Sequence, residues 1–203
     1  SSAAVSRQED ERTCETQRAA LKEDIRAQRD EGPATRQRLI DRVDVLASRY
    51  EASAPVCVGQ LQEHRAYLYI MDARYPEIVD WVGAYLAGSG RWTTARSRLL
   101  LHTQRGYAFR QLGQASEGAQ EAFLAASLAD QVPATDGAQA LTRAGYVARD
   151  LGEEGPAIAY LESALRLIAD SLDANPDLLE TRGSTLTSLS LLIDNQIQRA
   201  GAD

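Results

Sequence analysis

The chain has 203 residues, 44% hydrophobic and 25% charged, enough for one or two domains or one short solenoid with a sizeable core. Its formal net charge is −7 and no block of Lys and Arg interrupts it, which argues against nucleic acid as a partner, since that binding is driven by neutralising phosphates. No run of about 18 apolar residues occurs, so no membrane insertion is expected within this chain.

The sequence opens Ser1-Ser2-Ala3-Ala4 without methionine, which points either to a removed signal peptide or to a chain trimmed at its start. The first implies an extracytoplasmic setting, periplasmic or secreted; the alternative is cytoplasmic. Cys14 and Cys57 are the two cysteines, and with His64 and His102 they form no zinc spacing. They are either two unrelated, partly buried thiols or one disulfide tying the first helix to the third, and an even count suits the second in an exported protein.

In chain order, residues 1–5 are expected to be loose. Residues 6–30 are highly charged, with Ala19, Ala20, Leu21 and Ile25 as a thin apolar stripe, so they predict a largely exposed helix docked by one face. Gly32-Pro33 stops it. A second helix over about 34–52 places Leu39, Ile40, Val43, Leu46, Ala47 and Tyr50 at steps of three and four. Ala54-Pro55 and Tyr75-Pro76 open a third helix, about 56–73, and a short fourth. Gly88-Ser89-Gly90 is the best internal hinge. Five further helices follow, at about 92–112, 116–130, 137–151, 155–172 and 177–199, with a turn at Asn175-Pro176 before the last.

An eleven-residue phrase occurs twice in the second half. Residues 103–113 read TQRGYAFRQLG and residues 142–152 read TRAGYVARDLG, both T-x-x-G-Y-x-x-R-x-L-G, with Gly106 and Gly145 39 residues apart (145 − 106). Self-similarity at such a period marks a helical repeat, in which each helix pair buries its apolar face only by stacking on a neighbour. Gly183 falls 38 residues after Gly145 (183 − 145).

These residues resemble the tetratricopeptide repeat (TPR) family, in its long-repeat branch. Gly145, Ala148, Gly152, Ala157, Leu161 and Ala164 stand at that family's small and large positions. So do Gly106, Phe109, Gly113, Ala119, Phe123 and Ala126, with one extra residue in the turn. Small residues permit close helix crossing and large ones fill the gap to the next pair. The resemblance is strong over about 99–170 and fair to 200. At 57–87 it is degenerate, with Ala66, Tyr69 and Ala73 aligned but Ile78 and Tyr85 where small residues are expected.

The resemblance implies an all-α fold of about nine helices, an antiparallel helix-pair solenoid coiled as a right-handed superhelix. Residues 1–53 would be an N-terminal hairpin packing on the array, 54–88 the degenerate pair, and 91–203 the repeats with a C-terminal capping helix, all in one continuous solenoid. It also implies a concave face, lined by the first helix of each pair, that holds a peptide or partner helix. It further suggests the sensory or scaffolding region of a larger bacterial signalling protein.

Within each phrase, Thr103, Tyr107 and Arg110, and again Thr142, Tyr146 and Arg149, recur at steps of four and three and so share one stripe. Hydroxyls, rings and guanidinium forks suit an acidic or C-terminal peptide segment. The same repetition equally suits an inter-repeat packing seam. Trp81 and Trp92 flank the Gly88–Gly90 break and are expected either to pack over the joint between the two halves or to mark an exposed contact patch.

No phosphate-binding, dinucleotide, zinc-protease or nucleophile-elbow motif is present, and neither histidine has the neighbours of a catalytic triad. No enzyme activity, cofactor or metal is expected. The sequence therefore predicts a protein- or peptide-binding repeat module. Two alternatives stand beside it: a self-assembling or dimerising spacer, suggested by Leu186, Leu189, Leu191, Leu192 and Ile193 on the last helix, and a small-molecule sensor at the junction near Trp81 and Trp92.

Overall fold

The computed structural model describes residues 2–171, 176 and 178–200, and among them are nine α-helices and no strand. They are α1 (Ser2–Gln28), α2 (Pro33–Tyr50), α3 (Pro55–Met71), α4 (Tyr75–Ala87), α5 (Ala95–Gln111), α6 (Ala115–Ala126), α7 (Ala134–Asp150), α8 (Glu154–Ala169) and α9 (Leu178–Ala200). Single turns of 3-10 helix occupy Arg29–Glu31, Ser89–Trp92 and Ala129–Gln131.

Local chemistry explains the boundaries. Proline stands in the first turn of α2, α3 and α4, where its missing N–H would lack a helical partner anyway and its fixed φ fits the helix. The start of α5 lies at Ala95 rather than near 92, because the Thr94 hydroxyl accepts the Ser97 N–H at 3.1 Å and caps the helix there. The first helix begins at Ser2, so Ser2–Val5 are helical, not loose. Helix α7 begins at Ala134, three residues earlier than its apolar pattern indicates. Of the expected Asn175-Pro176 turn, Asn175 lies outside the described residues.

Three helices end alike. After α5 and α7, Gly113 (φ 76°) and Gly152 (φ 78°) take the left-handed conformation. The Gly113 and Gly152 N–H groups donate to Arg110 and Arg149 carbonyls at 3.0 and 2.9 Å, and the next residues, Gln114 and Glu153, donate to Phe109 and Ala148 at 2.9 Å each. This paired pattern is the Schellman closure, which satisfies carbonyls a helix end leaves bare. Helix α3 closes identically: Ala73 donates to Ile70 and Arg74 to Tyr69, both at 3.0 Å, with Ala73 at φ 54° in the place of glycine. The three left-handed residues fall 40 and 39 positions apart (113 − 73, 152 − 113), so the repeat reaches back to α3.

The chain forms two compact units, Ser1–Ala115 and Ser116–Asp203. The first is built from α1–α5. Its core takes Leu21 and Ile25 from α1, Leu39, Ile40 and Val43 from α2, Leu61 and Leu68 from α3, Ile78 and Val82 from α4, and Leu101 and Ala108 from α5. Cys14 and Cys57, both fully buried, are joined as a disulfide with Cα atoms 6.1 Å apart, tying α1 to α3. Residues 88–92 lie inside this unit, with Gly90 buried against Tyr85.

The second unit packs on small side chains. Ala119 and Ala122 of α6 meet Val147 of α7, while Ala126, Leu141, Ala144 and Ala164 form a neighbouring cluster. Helices α7 and α8 pack tightly at Gly145, where an added Cβ would lie 2.7 Å from Leu161 Cγ and 3.3 Å from the Ala157 carbonyl. That contact explains why glycine stands there. Gly183 has no such role: a Cβ on it would meet nothing within 4 Å.

Candidate partner-binding surface

Each copy of the phrase divides the same way in the structure. The glycine is buried, the tyrosine half-buried and the arginine exposed, at Gly106, Tyr107 and Arg110 on α5 and at Gly145, Tyr146 and Arg149 on α7. Tyr107 and Arg110 stand three positions apart, as do Tyr146 and Arg149, so ring and guanidinium are neighbours on one helix face.

On α5, Thr103 is half-buried. The Tyr107 ring meets the Tyr75 ring of α4 edge to face, with centroids 5.9 Å apart, a geometry the ring quadrupoles favour. The Arg110 side chain is exposed and forms no ion pair among the described residues. On α7 the three residues are more occupied. Thr142 is 5% exposed and its hydroxyl shares a 2.9 Å hydrogen bond with the Thr185 hydroxyl of α9. Tyr146 packs on a cluster containing Ala148 and Leu161, and the Arg149 guanidinium lies 5.4 Å from its ring centroid while donating to Asp150 at 2.9 Å. Thus Thr142 joins two helices, whereas Arg110 and Arg149 keep their guanidinium groups at the surface.

The Schellman register aligns α3 with these helices and places Tyr67 where the phrase has Tyr107 and Tyr146. Tyr67 is half-buried, its hydroxyl accepts from Arg29 Nη1, and the Arg29 guanidinium stands 5.6 Å from its ring centroid. The arginine position of the phrase falls on Ile70 in α3. The α3 register was legible from Ala66, Tyr69 and Ala73, but Tyr67 was not matched to the phrase because the helix lacks its Thr, Arg and Gly.

Trp81 and Trp92 do not form a joint. Trp81 packs within the first unit against Tyr69, centroids 6.2 Å apart, with the Arg65 guanidinium 4.5 Å above its ring. Trp92 is 67% exposed beneath Arg91 and borders a cleft of about 700 Å³ that also reaches Arg7, Glu51 and Ser89.

His64 sits in a strongly perturbing environment. Burial, then the neighbouring Arg18 and Lys22 cations, push its imidazole down to about 4. Its Nε2 lies 3.3 Å from Arg18 Nη1, which the neutral ring can accept. Glu15, bonded to the same arginine, has its carboxyl held below the usual range mainly by that hydrogen bond. Among the described residues no helix is long and apolar enough to cross a membrane.

No protein-family model matches the sequence, and no curated protein matches it. Solved structures do. The nearly identical TPR-like repeats of a kinesin-light-chain-like protein from Podosopora anserina align over 93% of this chain and 89% of that one, with a TM-score of 0.62 and 15% sequence identity. A single-substitution variant of the same protein aligns equally, covering 88% of its own chain. At that identity the likeness is one of fold: this chain has an all-α, TPR-like helical-repeat fold.

Proposed function

We propose that the chain is a non-enzymatic binding module whose α5 and α7 faces each contact a protein or peptide partner. The observation that carries this is the repeated grading of the two phrases, which leaves Arg110 and Arg149 at the surface beside half-buried Tyr107 and Tyr146. A guanidinium on a rigid helix beside a ring suits a carboxylate on an extended peptide. The TPR-like fold supports the reading, because stacked helix pairs offer long surfaces rather than one enclosed pocket. We place the module outside the cytoplasm on the strength of the Cys14–Cys57 disulfide, and we read it as the sensory or scaffolding part of a larger bacterial protein. A peptide library displayed with free C-termini tests the binding reading. Enrichment of acidic C-terminal sequences is expected, and a selection that enriches nothing counts against it.

A second reading is favoured by one feature of α9. Leu179, Leu186, Leu191, Ile193 and Ile197 are all at least 40% exposed there, and Leu179, Leu186 and Ile193 recur every seventh residue. An apolar seam of this period suits a second helix, so the alternative is a self-assembling spacer. Light scattering separates the two, since a strict monomer excludes self-assembly.

A further inference from the structure

We propose that a cleft between α2, α3 and α4 is a binding site for an organic cation carrying N–H donors, an ammonium or a guanidinium group. The cleft encloses about 280 Å³ and lies wholly within the first unit. That volume is below the ~300–1,000 Å³ of clefts for drug-sized ligands and suits something the size of one long side chain. The site shares no residue with the α5 and α7 stripes, so it stands or falls separately from the reading given for them.

Its lining is acceptor-rich. Asp44, Ser48 and Glu51 come from α2 and the residue that follows it, Gln62 and Arg65 from α3, and Tyr85 from α4. Gln62 is only 8% exposed, and its Oε1 is buried without a hydrogen-bond partner. A carbonyl oxygen removed from water without a donor is costly, and a ligand N–H would relieve it.

Charge points the same way. Two carboxylates against one guanidinium leave the lining at −1 (−2 + 1). Arg65 is already ion-paired: its Nε lies 3.1 Å from Asp44 Oδ1, without a hydrogen bond to it, and its guanidinium carbon lies 4.5 Å from the Trp81 centroid and 5.5 Å from that of Tyr69. Even so, burial raises the Asp44 carboxyl above its ordinary range, with Arg65 only the second influence, so one partner does not compensate its charge. Burial also pushes the Tyr85 phenol up to about 12, which keeps that hydroxyl neutral. An anion would meet Asp44 and Glu51, and the one guanidinium of the lining already faces Asp44.

Such a group arrives either as a free amine or guanidine or as a basic side chain of a partner. Calorimetric titration of the whole chain with agmatine and with acetyl-Gly-Arg-Gly-amide distinguishes the sources. Binding of agmatine alone assigns a free cation, and binding of the peptide assigns a partner's side chain. Either way, tetramethylammonium, which has no N–H, and succinate, which is anionic, are expected not to bind. Gln62→Leu and Glu51→Gln are each expected to weaken binding by about tenfold, the loss of one charge-assisted hydrogen bond. Glu51 is exposed, so Glu51→Gln remains informative even where Gln62→Leu fails to fold. The proposal is overturned if neither probe binds at about 10 mM, the weak limit for a contact of this kind. It is equally overturned if tetramethylammonium binds as well as agmatine, or if binding survives unchanged in the folded variants.

Discussion

Ala73 occupies a conformation that its side chain disfavours. It closes α3 at φ 54°, with the same two hydrogen bonds that Gly113 and Gly152 complete at the ends of α5 and α7. For an L-residue the left-handed region costs about 1–2 kcal/mol, partly offset by glycine's larger entropy loss on folding. Ala73→Gly is therefore expected to stabilise the protein by about 0.5–1 kcal/mol, and Gly152→Ala to destabilise it by about 1 kcal/mol. Urea unfolding of the two variants measures both, and loss of stability in Ala73→Gly contradicts the shared closure. The α3 copy of the repeat was legible with Ala73 aligned, yet only as degenerate, because Ile78 and Tyr85 stand where small residues are expected.

His64 makes a second residue-scale prediction. Its imidazole is neutral in the folded chain down to about pH 4 but takes a proton near the ordinary 6.5 once unfolded. Above pH 6.5 neither state is protonated and the stability is complete. As the pH falls from 6.5 towards 4 the unfolded chain alone gains a proton, so stability is lost across that window. In urea titrations between pH 7.5 and 4.5, His64→Gln should flatten part of this slope. An unchanged slope would remove His64 from the account.

At the scale of elements, the disulfide holds the longest lever. It closes a 43-residue separation between α1 and α3, and the chain-entropy treatment gives about 4 kcal/mol for a loop of that length. Helix α1 is heavily charged, with Cys14, Leu21 and Ile25 as its contribution to the core, so it depends on that tie. Melting with and without reductant, alongside a Cys14→Ser, Cys57→Ser double variant, is expected to show a large loss in both cases. Equal melting temperatures contradict a stabilising bridge.

Helix order was legible because punctuation and periodicity agree: Pro33, Pro55 and Pro76 open helices, and Gly113 and Gly152 close them. Starts set by a side chain were less so, as Thr94 shows by capping α5 three residues after the expected boundary. The Gly145 approach to Leu161 followed from the repeat pattern, yet Gly183, at nearly the same spacing, faces open space. Spacing places a residue on a helix; what lies opposite depends on the neighbouring helix.

At the scale of the molecule, the recurrence of the Tyr and Arg positions was readable, but their individual surroundings were not. The Thr142–Thr185 hydrogen bond joins residues 43 apart, and the cleft around Gln62 draws on three helices with no motif among them. Both depend on long-range packing that no local pattern records. Within the phrases, the exposed Arg110 and Arg149 are the residues that separate a binding surface from a packing seam. A seam residue holds the fold, whereas a surface residue holds a partner.

The most direct test uses a C-terminal peptide selected on the whole chain, labelled for fluorescence anisotropy. It is titrated against the parent protein, Arg110→Ala and Arg149→Ala, with a melting curve for each. A binding module predicts that at least one variant loses about tenfold or more in affinity, the worth of a charge-assisted contact, while its melting temperature stays within about 2 °C of the parent. Unchanged affinity in both variants, with lowered melting temperatures, would contradict the account and make the repeated stripe a seam.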